Sequence, residues 1–204
     1  PYGRVTARGF FNLLIGKLTI FHYLCPTLIS NTYHMSDYIN LVSIPQKDFE
    51  EMRRDPYLFK DWKEGYSKEK YSYIYTNNWR DIERFVIGYS PHPHTIEDNI
   101  ICKIFGSGVL LGEDLDGGYS DWHYAYLTPN EVSKLSTKLA NITDKYLREN
   151  FNVDSMECSD AFPLLENDEV DAQEVFDYIK QEYEKVKEFY RLAAEKGEAV
   201  ISYR

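Results

Sequence analysis

Residues 106–132 read GSGVLLGEDLDGGYSDWHYAYLTPNEV, a glycine-rich acidic loop that runs through an aromatic alternation into a strongly marked helix start. The end of the stretch carries the clearest signal. Thr128, Pro129 and Glu131 supply a capping hydroxyl, a proline preset for the first helical turn, and a carboxylate able to return to the cap amide. A helix is predicted to begin there, with Val132, Leu135, Leu139 and Ile142 as its apolar stripe. Immediately before it, Trp122, Tyr124 and Tyr126 alternate as the inward residues of a half-buried strand do. Upstream, Gly106, Gly108, Gly112, Gly117 and Gly118 permit positive φ and tight turns.

Working outward, Thr95 and Asp98 fit a capping box for a helix carrying Ile96, Ile100, Ile101, Ile104 and Phe105, stopping at Gly106. A proline-bounded loop, Ser90-Pro91-His92-Pro93-His94, precedes it. Asn78 is a candidate cap for a helix in which Trp79, Ile82, Phe85 and Val86 share a stripe that ends at Gly88. Residues Lys60 to Tyr75 are polar and tyrosine-rich, without usable periodicity. Tyr38 to Ile44 is rich in strand formers, and Pro45 opens a helix whose Phe49 and Met52 share a face. On the C-terminal side Thr143 starts a shorter helix. Asp171 and Glu174 fit a further capping box for a long helix lined by Val175, Tyr178, Ile179, Val186, Phe189, Tyr190 and Ala193 and ended by Gly197. Glu198 to Tyr203 reads as a terminal strand. With no internal repeat, the expectation is α+β: a helix-rich single domain with a small mixed β-sheet, the terminal strand inside it and the long helix across it.

The 204 residues are 43% hydrophobic and 16% aromatic. A chain of this size buries roughly 70% of its unfolded surface and needs neither disulfide nor metal to fold. Cys25, Cys102 and Cys158 form no CxxC pair, which fits a reducing cytoplasm and buried, unpaired thiols. Charge is uneven. Residues 1–34 hold Arg4, Arg8 and Lys17 and no acid, so the remainder carries 20 basic against 33 acidic residues, a formal −13 against −10 for the whole. That field disfavours nucleic acid and favours a basic protein partner. The apolar run Phe10 to Phe21 is interrupted by Gly16 and Lys17, is followed by no small-x-small cleavage site, and falls short of the about 20 apolar residues of a membrane span. Met35-Ser36-Asp37 resembles a cytosolic start. Residues 1–34 are therefore read as an extension outside the domain at 35–204, with a signal or anchor as the alternative, and the protein as cytoplasmic with no membrane partner.

The order of the Trp79 helix, Gly88, Leu111-Gly112-Glu113-Asp114, Tyr126-Leu127-Thr128-Pro129 with Glu131-Val132, Phe189-Tyr190-Arg191 with Ala193-Ala194, and the last strand Ala199-Val200-Ile201 resembles the YfbM-like family of small bacterial proteins, known as a domain of unknown function. The resemblance spans residues 35–204. It implies a fold and a bacterial setting. The chain departs from the family pattern at Asp116 to Trp122, where relatives are usually shorter.

The residues bound the chemistry. Gly106, Gly108 and Gly112 follow a predicted helix, whereas a dinucleotide fingerprint follows a strand, and no Lys-Ser/Thr pair completes a P-loop. Ser107 lies between adjacent glycines, not in a nucleophile elbow. Glu113, Asp114, Asp116, Asp121 and His123, with His92 and His94, include the ligand types of a hard cation or zinc. Yet Asp114 to Tyr119 puts glycine where a calcium loop needs an oxygen ligand. Turn carboxylates are the expected role, with no metal and no cofactor. The tyrosines offer another chemistry: Tyr66, Tyr71, Tyr73 and Tyr75, beside Trp79 and with Trp122, read as an exposed aromatic patch suited to binding, or as rings covering the core from a long loop. Two functions stand: a non-enzymatic protein-binding protein of the immunity type, facing a basic toxin-like partner, or a small metal-dependent hydrolase or transferase using Glu113, Asp114, Asp121 and His123. The sequence assigns no oligomeric state.

Overall fold

The computed structural model describes residues 38–65, 68–88, 100–106, 109–112, 124–152 and 171–203. The chain divides after Met35, and all of these residues lie in the unit Ser36–Arg204. In order they form strand β1 (Ile39–Ile44), helices α1 (Gln46–Arg54) and α2 (Tyr57–Glu64), β2 (Ser72–Thr76), α3 (Trp79–Ile87), a 3₁₀ turn at Ile100–Lys103, β3 (Val109–Leu110), β4 (Ala125–Leu127), α4 (Pro129–Ala140), α5 (Asp144–Asn150), α6 (Ala172–Lys196) and β5 (Ala199–Tyr203).

Several boundaries follow from side-chain chemistry. The Thr128 hydroxyl accepts from the Glu131 amide and donates to the Glu131 carboxylate at 2.8 Å, while that carboxylate accepts from the Thr128 amide at 3.0 Å, a complete capping box. Thr143 caps α5 by accepting from the Tyr146 amide. Asp171 caps α6 through the Gln173 amide at 2.8 Å, without the return bond expected from Glu174. At the far end Gly197 takes the left-handed conformation (φ 64°) and closes the helix on the Ala193 and Ala194 carbonyls. Asn78 precedes α3 but does not cap it; its amide is buried and donates to the Tyr178 hydroxyl at 3.0 Å. Residues 100–103 wind as 3₁₀ rather than α-helix, and Thr95 and Asp98 lie outside the described residues.

The sheet runs β2-β1-β5-β4-β3, and every pairing in it is antiparallel, where a mixed sheet was expected. Alternation sorts its side chains onto two covered faces. Ile39, Leu41, Leu127 and Val200 meet the apolar stripes of α3, α4, α5 and α6 in one cluster. Val42, Ile44, Ala199 and Ile201 meet Phe49 and Met52 of α1, Phe59 of α2, Tyr71, Leu111 and Tyr124 in the other. Tyr124, Ala125 and Leu127 are consequently all buried, so β4 is an interior strand rather than a half-buried one. Two buried phenols tie the helical layer together: Tyr183 donates to the Leu139 carbonyl at 3.0 Å and Tyr190 to the Ile104 carbonyl at 2.6 Å. Cys102 is only part-buried, not the enclosed small hydrophobe expected.

Candidate aromatic binding surface

Register builds the surface that the tyrosine-rich segment pointed to. Asn40 of β1 lies opposite Tyr75 of β2 on one side and Tyr203 of β5 on the other, and Tyr203 stacks on Tyr124 with ring centres 6.2 Å apart. Next to this row, Val42 lies between Tyr73 and Ile201, and Ile201 opposes Tyr126. Residues opposite one another across a sheet share a face. Both rows therefore face the α1 and α2 side. They run from an open edge at β2, where Tyr75 is 67% and Tyr73 43% exposed, to a closed interior where Tyr124 is buried.

The closed end is packed by rings and lined with cations. Phe59 meets Tyr124 and Tyr203 edge to face at 5.8 and 5.6 Å, Phe49 meets Tyr126 at 5.1 Å, and Trp62 meets Tyr71 at 5.2 Å. Such pairs add about 0.5–1.5 kcal/mol beyond the burial of their area. Lys63 donates to the Tyr124 hydroxyl at 2.7 Å and lies 5.3 Å from the centre of the Tyr203 ring. Its 4.9 Å distance to the Tyr124 ring is the geometry of a hydrogen bond at the polar end of that ring, not of a charge over its face. Arg53 lies 5.8 Å from both Phe49 and Tyr126, and Lys70 4.8 Å from Tyr71.

Tyr71 departs from the exposed patch expected of it. It is 5% exposed because its ring fills the cluster under α1 and α2, and its hydroxyl finds a partner by donating to Asp48 at 2.7 Å. Trp79 is likewise buried, on the opposite face. Hydrogen bonds from Lys70 and then Tyr71 hold the Asp48 carboxyl below its ordinary range, while burial pushes the Tyr71 hydroxyl up. Burial, with Tyr38 and Tyr73 nearby, pushes the Tyr203 hydroxyl up to about 12. Near neutral pH these phenols are uncharged hydrogen-bonding groups. The exposed part of the surface thus offers the rings of Tyr73 and Tyr75.

Of the remaining candidates, Tyr66 and Trp122 lie outside the described residues, as do Glu113, Asp114, Asp116, Asp121, His123, His92 and His94. Among the described residues no group of three or more His, Cys, Asp or Glu side chains is placed to hold a metal ion, and no helix is long and apolar enough to cross a membrane.

The model of the family called Domain of unknown function (DUF1877) matches residues 35–203. The chain belongs to this family. Among solved structures the DUF1877 chain is similar to YfbM from Escherichia coli, a protein of unknown function, with 12% identity and a TM-score of 0.57 over 81% of this chain and 98% of that one. At that identity the likeness concerns the fold alone. No curated protein matches the chain. Within this DUF1877 domain the sequence reading missed Asn40, Arg53, Phe59, Trp62, Lys63 and Tyr203 as parts of the surface. A local signal was present for β2: Tyr71, Tyr73 and Tyr75 alternate at the period of a strand, next to the β-branched Ile74 and Thr76 and before Asn77-Asn78.

Proposed function

We propose that this DUF1877 protein is a non-enzymatic binding protein of the immunity type, whose acidic, tyrosine-rich surface engages a basic, toxin-like protein. The observation that carries the reading is the exposure of Tyr73 and Tyr75 side by side on one sheet face, 43% and 67%, in a chain of formal charge −10. Tyrosine supplies rigid contact area with little side-chain entropy to lose, and an acidic field speeds the approach of a basic partner. Residues 35–204 are assigned the binding role, and residues 1–34 are placed outside it. A cytosolic setting accompanies the proposal, in keeping with three cysteines that form no CxxC pair.

The test is affinity capture from the cell that makes the protein, with the full chain and a Tyr73→Ala/Tyr75→Ala variant as parallel baits. The captured protein is then purified and remixed. A basic partner that forms a stoichiometric complex with the wild type and loses it with the variant is the expected result. A set of captured proteins indifferent to both substitutions sinks the reading.

A further inference from the structure

β2 is an edge strand, and among the described residues no segment pairs with its outer side. Its sequence, SYIYT, contains no charge, no proline and no glycine. Natural edges are usually blunted by lysine, proline or a bulge, because a bare row of amides and carbonyls is a template for another strand. Four of its five residues, Tyr73, Ile74, Tyr75 and Thr76, are strand formers.

The rings on it differ from the other aromatics of the same face. Phe49 and Tyr126 have Arg53 beside them, Tyr124 and Tyr203 have Lys63, and Tyr71 has Lys70. Among the described residues no cation lies over the ring of Tyr73 or Tyr75 and no other ring packs against either, although Tyr203 is near Tyr73 and Lys185 near Tyr75. Lys185 of α6 is paired with Glu182, whose hydrogen bond favours its charge.

We propose that the outer edge of β2 accepts an extended, arginine-bearing segment of a protein partner as an added strand, with alternate arginines stacked on Tyr73 and Tyr75. The inference rests on the binding reading and specifies its partner chemistry. Tyr73 and Tyr75 are two residues apart and share a face, so a paired strand brings its own alternate side chains to about 5 Å from them. A planar guanidinium stacks on such a ring better than an ammonium does, and the net charge of −10 speeds the approach of a cationic segment to the protein. The main chain supplies affinity and the alternation supplies selectivity.

The experiment titrates the full chain calorimetrically with terminally blocked peptides: one alternating arginine with valine, one alternating glutamate with valine, and arginine peptides N-methylated at alternate amides in either register. Saturable, salt-weakened binding is expected of the arginine peptide and of one of its methylated registers, with the other register and the glutamate peptide failing to bind. Tyr73→Ala/Tyr75→Ala should weaken it about tenfold, while Tyr73→Phe/Tyr75→Phe, which keeps the rings, should retain it. Thermal melts of both variants control for folding. Failure of the arginine peptide to bind, equal binding of the glutamate peptide, or indifference to both methylated registers overturns the proposal. If a purified protein partner depends on the two tyrosines while the peptide fails, the added strand falls and the binding reading stands. If the peptide binds as expected while captured proteins ignore the tyrosines, the assigned function falls and the edge site stands.

Discussion

A Cβ placed on Gly106 would lie 2.7 Å from Ser202 Oγ, which itself donates to the Ala125 carbonyl at 3.2 Å beneath the sheet. The backbone there has φ 109°, which side chains rarely adopt. Gly106→Ala is therefore expected to cost about 1–3 kcal/mol, read from urea unfolding. Gly197 is different: its φ of 64° is ordinary for a helix end and no atom stands within 4 Å of the added carbon. Gly197→Asn should cost distinctly less than Gly106→Ala, and equal losses would show that φ alone governs both sites. Sequence marked both glycines as helix stops. It could not mark Ser202, which meets Gly106 only after the sheet assembles. The same limit applies to Tyr71 and Tyr75, alike in the chain and opposite in exposure, because the cover given by α1 and α2 is a property of the packed layer.

The helix start at Thr128 belongs to the next scale, since its bonds decide where an element begins. Thr128→Ala should lose about 1 kcal/mol in the same unfolding assay. Burial alone would raise the Glu131 carboxyl, but hydrogen bonds from the Thr128 amide and hydroxyl, and from Lys103 at 3.1 Å, outweigh it and hold the group below 4.5. A carboxyl lowered by folding contributes stability above its unfolded value, and the contribution is lost as pH falls through the folded one. Wild type and Glu131→Gln should thus differ near neutral pH and converge as pH drops below 4.5. A difference that persists unchanged into acid would show that the charge of Glu131 does not matter. This element was legible in advance because every group that defines it lies within four residues. β2 was less so: its five residues show the right alternation, but the polar stretch leading into them, which also holds the end of α2, obscured it.

At the scale of the whole described unit, β5 is the strand on which the sheet depends. It joins β2-β1 on one side to β4-β3 on the other. The helices could be read locally, but strand order could not, since Asn40 meets Tyr203 across 163 positions and periodicity says nothing about partners. A chain stopped after Gly197 should lose its cooperative melt, measured by circular dichroism, while a native-like transition in that chain would show that the two pairs of strands are held by the helices alone. Placing residues 199–203 at the centre also orders events during synthesis. The ribosome releases β1, β2, β3 and β4 first, so each pair waits with a bare inner edge until β5 emerges between them. Until β5 is in place the inner edges of β1 and β4 lack their partner, and a chain that stops short of it leaves both open to chaperones or to one another.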